Sequence, residues 1–414
     1  MEETLYWLWI QNAFGFGANL SRPLACFENA KAFYEAQQSD YLDCDALRTS
    51  CAFARTKLSK LLDKDLTLMQ QTLALCRDYG ITVLTPADAR YPGRLLSLEN
   101  YPAVLFVSGN TDCLSAAHTV AVVGSRRPTQ YSFLAARRIA ADLSLRDCVV
   151  VSGGALGIDS AAHVGALTAE RPTVLVMGGG HLAGGPKETE NIREMMALYG
   201  ALVSEFPPRT GANSGSFPMR NRLISGLSDA VLVIEAANAS GTLNTAAHAK
   251  KQGRRLFVFP GDCEMPAYAG SRALIRAGAT VVFSAEDVLF HMGLPYAGAA
   301  HSIGTTMEES VHLPQIELAK KPRQAAVGKK KTAYTRAAAH PDVPAVPAKP
   351  LPPQNVSDPA EKVFRLLEEN ALTFDELLVA VKLPAPGLTT ALTELLLEGS
   401  VEKNANGRYA LRGK

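Results

Sequence analysis

The sequence predicts an α/β protein built on a doubly wound, mostly parallel sheet, with a helical module before it and a small helix-and-hairpin module after it. Three observations predict this. Between residues 81 and 283, short apolar runs alternate with stretches of helix length, the rhythm of right-handed strand–helix–strand crossovers. The run 230–235 is aliphatic and ends in a carboxylate, as in a strand covered on both faces. Small-residue loops stand where the runs stop, at Gly124-Ser125-Arg126, Gly153–Gly157, Gly178–Gly180 and Ser240-Gly241-Thr242. Ligands of open α/β sheets bind outside the carboxyl ends of the strands, so these loops outline one edge.

A chain of 414 residues with 47% apolar content has room for two or three domains and a sizeable core. Its net charge of +2 says nothing about partners, but the distribution does. Between Pro314 and Gln354, eight Lys or Arg stand against Glu317 and Asp342, a local +6 that leaves about −4 elsewhere. Seven irregularly spaced cysteines without a CxxC fit reduced thiols better than disulfides or zinc. The opening residues MEETLYWLWIQNAFGFGAN lack the pattern of a signal peptide, and no run is long enough to span a membrane. A soluble, cytoplasmic protein with no membrane partner is expected.

Residues 1–75 read as helices. Leu5, Leu8 and Trp9 form an apolar stripe, and Phe14-Gly15-Phe16-Gly17 is a turn before a further helix through Tyr34. That outline suits a SAM or helix-hairpin-helix module, although any short helical hairpin gives it and a plain packing role is the simpler reading. Residues 76–295 carry the sheet. Strands are expected at 81–84, 104–107, 120–123, 148–151, 173–177, 202–203, 230–235, 256–259 and 281–283, with helices from about 130 to 143, from 159, and from 242 to near 253. Residues 296–356 hold KKPR, KKK and a Pro/Ala series, an extended linker. Such basic runs are usually solvated, and the alternative is a non-specific phosphate contact.

Residues 357–414 return to order. Ser357-Asp358 caps a helix at 361–369; helices at 373–380 and 388–397 follow, then a two-stranded hairpin turning at Asn406-Gly407. Three helices and a hairpin make a winged helix, whose third helix ordinarily enters a major groove. Between Pro384 and Glu402 this one has no Lys or Arg but carries Glu394, Glu398 and Glu402. Phosphates repel such a helix, so a protein-contact or fossil winged helix is expected rather than a DNA reader. A Pro-rich tether also implies few contacts with the rest of the fold.

Several chemistries are unsupported. There is no P-loop, and Gly178-Gly179-Gly180-His181-Leu182-Ala183 has the letters of a dinucleotide fingerprint without the helix that should follow. His163 and His248 lie in alanine-rich helical patterns with no second ligand at metal spacing. Ser125 and Ser240 lack a signposted base, and Asp159 suits helix capping at least as well as catalysis. No cofactor and no enzymatic turnover are expected. The remaining candidates are Arg126, Arg220 and Asn221, with Phe217 beside them. Arginine holds a phosphate oxygen pair bidentately and stacks on a base; a phenyl ring stacks too. The helix start at Ser240, Gly241 and Thr242 offers backbone N–H groups to an anion.

These residues resemble the DNA-processing protein A (DprA, or Smf) family. The resemblance is carried by VAVVGSRRPTQY (120–131), VSGGALGIDSAAHVGAL (151–167), SEFPP (204–208), FPMRNRLISGLSDAVLVIEA (217–236), SGTLNTAAHAKKQGRRLFVFPG (240–261) and LIRAGA (274–279), in order. It implies an extended Rossmann fold that binds single-stranded DNA in a basic pocket, forms a homodimer, and loads RecA recombinase onto incoming DNA in natural transformation. The family's DNA contacts fall on Gly124, Ser125, Arg126, Phe217, Arg220 and Asn221, and the strand-end loops add Gly153, Gly157, Ser240, Gly241 and Thr242. Leu156 stands where the family commonly has Arg, and Gly180–Pro186 lacks the family's Tyr before Pro. The rival reading is a nucleoside monophosphate hydrolase on the related lysine-decarboxylase-like fold. Its PGGxGTxxE loop ends in an acid where this chain has Thr245.

Overall fold

Val120–Val123 alternates its side chains between two hydrophobic layers, and that alternation organises the chain. Val120 and Val122 join Ile139, Ala140, Leu143, Ile158 and Ala162 on one side, while Ala121 and Val123 join Leu223, Ile224, Leu227 and Ala246 on the other. The structure, a computed structural model, describes residues 2–48, 56–184, 190–238, 240–262, 264–295, 358–368, 370–381, 383, 385–403 and 408–412. The linker expected at 296–356, Ser357 and the Asn406-Gly407 turn lie outside them.

Seven helices come first: α1 (Glu2–Phe14), α2 (Ser21–Leu24), α3 (Ala30–Glu35), α4 (Gln38–Asp43), α5 (Asp45–Arg48), α6 (Thr56–Leu62) and α7 (Thr67–Asp78). Then follow β1 (Thr82–Leu84), α8 (Gly93–Leu96), β2 (Leu105–Gly109), β3 (His118–Val123), α9 (Gln130–Ser144), β4 (Cys148–Ser152), α10 (Ile158–Thr168), β5 (Thr173–Val176), α11 (Glu190–Tyr199) and β6 (Ala201–Ser204). The second half has α12 (Ser216–Gly226), β7 (Ala230–Val233), α13 (Thr242–Lys251), β8 (Arg255–Val258), α14 (Ala269–Arg276), β9 (Thr280–Val281) and α15 (Ala285–Met292). The sheet order is β1-β2-β6-β5-β4-β3-β7-β8-β9, antiparallel only where β2 meets β1 and β6. Strands leave β3 in one direction through β4 and β5, and in the other through β7 and β8. The topological switch point is therefore the gap between β3 and β7, where Val123 pairs with Val233.

The helix expected through Tyr34 is two pieces, because the Asn29 side chain accepts from Ala32 N–H and starts α3 afresh. Nor do the first helices stand apart. Trp9, Ile10 and Phe33 share a buried cluster with Val104 and Phe106 at the sheet edge. The Phe14–Gly17 turn faces inward: Gly17 N–H donates to Glu205 Oε1, which also receives Arg222 Nη2 at 2.5 Å, and Phe16 packs on Phe206. Glu205 and Arg222 are both buried. The Gly17 N–H is thereby committed within the protein. The expectation of seven reduced thiols also fails, because Cys26 and Cys44 are joined in a disulfide with Cα atoms 6.2 Å apart.

The winged helix has α16 (Asp358–Leu367), α17 (Phe374–Val381), α18 (Ala385–Leu397) and the antiparallel pair β10 (Val401–Lys403) and β11 (Tyr409–Leu411). Val363, Phe364, Leu377, Leu388, Leu392 and Leu395 form its core. It does not hang loosely from a tether. The third helix, α18, lies against α10 and α11; Glu394 pairs with Arg137 of α9 at 2.5 Å, and Thr393 Oγ1 stands 2.6 Å from Met195 Sδ. Both Thr393 and Glu394 are buried. The protein contact that the acidic helix implied is made within the same chain.

Removing one partner of a buried ion pair typically costs about 3 kcal/mol, so Glu394→Ala should loosen this docking. In hydrogen–deuterium exchange, amides of α18 and α11 should lose protection while β8 and β9 keep theirs. Unchanged protection of α18 would mean that the ion pair does not hold the module.

Candidate functional site

The carboxyl ends of β3, β4, β5 and β7 are roofed by α12. A cleft of about 970 Å³ opens at the β3–β7 switch point, and a second cavity of about 330 Å³ opens beside it over β4 and β5. Gly124, Ser125, Arg126, Phe217, Arg220, Asn221, Ser240, Gly241 and Thr242 all line the larger one. Residues nearly 120 positions apart in sequence are thus gathered at one edge, as the loop pattern predicted.

Arg126 follows β3 and is exposed. Its Cζ lies 5.6 Å from the centroid of the Phe217 ring on α12, a cation–π distance that leaves the guanidinium edge open to an anion. The loop that carries Arg126 is held from below. Glu235, buried at the end of the β7 run, accepts from Thr129 N–H and Thr129 Oγ1, both at 2.9 Å, and Tyr268 OH bonds to Thr129 and Ser132. Thr129 Oγ1 in turn caps α9 through Ser132 N–H. The carboxylate noted at the end of the aliphatic run is therefore a brace for the cationic loop.

Arg220 differs from the expectation. Only 5% of its surface is exposed, and Nη1 donates to Gly153 O at 2.6 Å and to Val176 O. Burial pulls its guanidinium down to about 10, partly offset by the nearby Asp159 carboxylate, so it remains charged at neutral pH. It forms a wall of both cavities, but its geometry ties α12 to the ends of β4 and β5. Asp159 does not cap α10 by its side chain. Its Oδ2 accepts from Gly153 N–H and, more weakly, Ala155 N–H, and burial raises its carboxyl.

The two glycines on that loop serve clearance. A Cβ on Gly153 would lie 2.3 Å from Arg220 Nη1, so glycine lets the guanidinium reach the strand. Gly157 lines neither cavity. It has φ +87, and a Cβ there would fall 2.4 Å from Ser125 O, which fixes how closely the β4 loop passes under the Arg126 loop. The α13 terminus is also less open than the sequence suggested. Thr242 N–H donates to Ser240 Oγ, Leu243 N–H to Ser240 O and Asn244 N–H to Gly241 O. Asn221 Nδ2 reaches Gly241 O and Asn244 Oδ1 at 3.4 and 3.3 Å, joining α12 to α13 across the cleft floor.

Comparison with known proteins fixes the family. Residues 82–293 match the model of the DNA recombination-mediator protein A family, and 347–407 match the DprA winged helix domain. The chain belongs to the DNA recombination-mediator protein A family. It is 37% identical over 220 residues to the DNA processing protein DprA of Bacillus subtilis, covering 53% of this chain and 74% of that one. To Protein Smf of Escherichia coli it is 39% identical over 241 residues, 57% of this chain and 64% of that protein's length. The X-ray structure of DNA processing protein A from Streptococcus pneumoniae is similar at a TM-score of 0.61 and 27% identity, covering 70% of this chain and 98% of that one.

Sequence reasoning missed Asn213, Ser214 and Asn244 on the cleft wall. Asn213 carried a signal, since an Asn two residues before Gly215 commonly bends its own backbone. Its Oδ1 accepts from Gly215 and Ser216 N–H. His163 is buried below the site and pairs through Nδ1 with Thr173 Oγ1 at 2.9 Å. Because Thr173 donates to Val150 O, the ring nitrogen Nδ1 carries the proton.

Burial, with Arg220 adding to it, holds His163 down to about 3. Unfolded histidine titrates near 6.5, so the unfolded chain takes up this proton first as pH falls. Its contribution is present above about pH 6.5 and is lost towards pH 3, at up to about 1.4 kcal/mol per unit. Urea midpoints should therefore decline on acidification less steeply in His163→Gln than in the wild type. Parallel slopes in the two proteins would remove His163 as the cause.

Proposed function

We propose that this protein binds single-stranded DNA along the strand-end cleft, protects it, and loads RecA recombinase onto it, acting without turnover as a cytoplasmic homodimer. One observation carries the binding site. The exposed Arg126 guanidinium lies over the Phe217 ring in a cleft whose lining includes the hydroxyls of Ser125, Ser240 and Thr242 and the amides of Asn213, Asn221 and Asn244. Cation, aromatic face and small polar groups are what a phosphodiester with attached bases engages. Family membership supports the DNA-processing role, and the RecA and dimer elements rest on the family resemblance. The residues proposed to touch DNA are Gly124, Ser125, Arg126, Phe217, Asn221, Ser240, Gly241 and Thr242. Gly153, Gly157 and Arg220 are proposed to shape the pocket from behind.

Arg126→Ala should weaken binding to oligo-dT about tenfold with the fold intact, since a charge-assisted contact contributes roughly 1.5–3 kcal/mol. The log–log salt slope should flatten by about 0.7. Arg220→Ala should lower the melting temperature, because two strand-end carbonyls lose their donor. A folded Arg126→Ala protein with wild-type affinity and slope, measured by fluorescence anisotropy, would refute the site.

The hydrolase reading requires an acid free to act. Asp159, the carboxyl that lines the cleft, is engaged by backbone N–H groups beside Arg220, and Glu235 is engaged by Thr129. Nucleoside monophosphates incubated with the protein should release no free base by chromatography. Reproducible release that disappears on a cleft substitution would favour the enzyme.

A further inference from the structure

We infer that the Cys26–Cys44 bond is a reversible redox switch: a dithiol opens it by attack at Cys26 Sγ, and opening releases α2, α4 and α5 from the first helical layer. The bond joins positions 18 apart in sequence, tying the chain just after α2 to the junction of α4 and α5. Its two ends differ in access. Cys26 is exposed, whereas Cys44 is only 5% exposed, so an incoming thiolate meets Cys26 first. Cys76, Cys113 and Cys148 are free and buried. Among the described residues, the accessible sulfur chemistry is therefore concentrated in this one couple.

The elements it fastens have little hold of their own. Helices α2 and α5 have four residues each and α4 has six; helices this short depend on tertiary contacts. Phe27, beside Cys26, packs on Phe33 and Tyr41 with ring centroids 4.7 and 6.0 Å apart. Tyr41, three residues before Cys44, is fully buried. Its OH donates to Phe33 O at 2.5 Å and accepts from Lys64 Nζ at 2.8 Å. That ammonium lies 4.7 Å from the Trp9 ring centroid, 5.1 Å from Tyr34 and 5.0 Å from Tyr41, within an aromatic cage. The cross-link restricts the chain that carries Tyr41. Cutting it frees α4 to draw Tyr41 away from Lys64, and the cage opens with it.

The exchange balances. One thiolate of the dithiol bonds to Cys26 Sγ as the Cys26–Cys44 bond breaks, and Cys44 leaves as a thiolate that takes a proton. The dithiol's second thiolate then attacks its own first sulfur, closing a disulfide and releasing Cys26, which is protonated in turn. The protein gains two electrons and two protons, and the dithiol loses them. Oxidised glutathione, a disulfide, reverses the reaction and departs as two thiols.

The test uses the full-length protein under native conditions with dithiothreitol and then oxidised glutathione. Differential alkylation and mass spectrometry report the state of Cys26 and Cys44, and hydrogen–deuterium exchange reports the helices. Dithiothreitol should free both thiols and speed exchange in α2, α4 and α5 about tenfold, with β3, β4 and β7 unchanged. Emission from the chain's two tryptophans, Trp7 and Trp9, should shift as Lys64 leaves the cage. Oxidised glutathione should restore both readings. The double variant Cys26→Ser with Cys44→Ser should match the reduced wild type and ignore dithiothreitol; Cys26→Ser alone serves if the double variant does not fold. Thiols that stay free in oxidised glutathione would overturn the switch. So would a bond that dithiothreitol opens only in denaturant, or full reduction that leaves exchange in α2, α4 and α5 unchanged.

Discussion

Arg220 is buried where β4 and β5 end, and a guanidinium in that position must find acceptors or destabilise the fold. It finds Gly153 O, Val176 O and the field of Asp159. The surroundings follow from this need. Position 153 has to be glycine because a Cβ would occupy the guanidinium's place. Asp159 is held close by the N–H groups of the same loop. Helix α12 is pinned to the sheet by the same contact, which sets Phe217 about one turn away over the cleft and Asn221 against α13. Arg126, on the neighbouring strand end, is left exposed. The two arginines therefore divide their work: one builds the edge and the other faces outward from it.

The flanking modules are joined to the sheet by the same kind of constraint. Arg222 and Glu205 are both buried, and Gly17 N–H donates to the same Oε1 that Arg222 reaches, so the first helices close over the β2 end of the sheet. At the other end of the chain, Glu394 enters the docking face of α18 and meets Arg137. An acidic helix is a poor reader of phosphate but a good partner for an arginine already standing on α9. Buried pairs of this kind add little net stability over apolar packing. They do penalise any docking that leaves a charge without its partner, and so fix which surfaces meet.

Much of the architecture was legible from local chemistry. Aliphatic runs, their spacing and the small-residue loops placed the strands within a few residues, because period and burial are properties of neighbouring positions. The order of those strands also put the four loops on one edge. Phe217, Arg126, Asn221 and the 240–242 loop meet there because parallel strands joined by crossovers end on the same side. The glycines at 153 and 157 were visible as loop residues, while their purpose, clearance for Arg220 and for Ser125 O, depends on atoms far away in sequence.

The sequence by itself determined the alternating α/β pattern, the edge on which the four loops gather and the acidic character of α18. Tertiary structure alone decided that Arg126 faces outward while Arg220 does not, where Glu394 goes, that the Phe14–Gly17 turn packs against Glu205 and Phe206, and that Cys26 meets Cys44. The physical reason is common to all four. A side chain's charge, size and hydrogen-bonding capacity are written in the sequence. Whether those properties are spent on the protein or left for a ligand depends on what the fold brings within about 3 Å, the reach of a hydrogen bond.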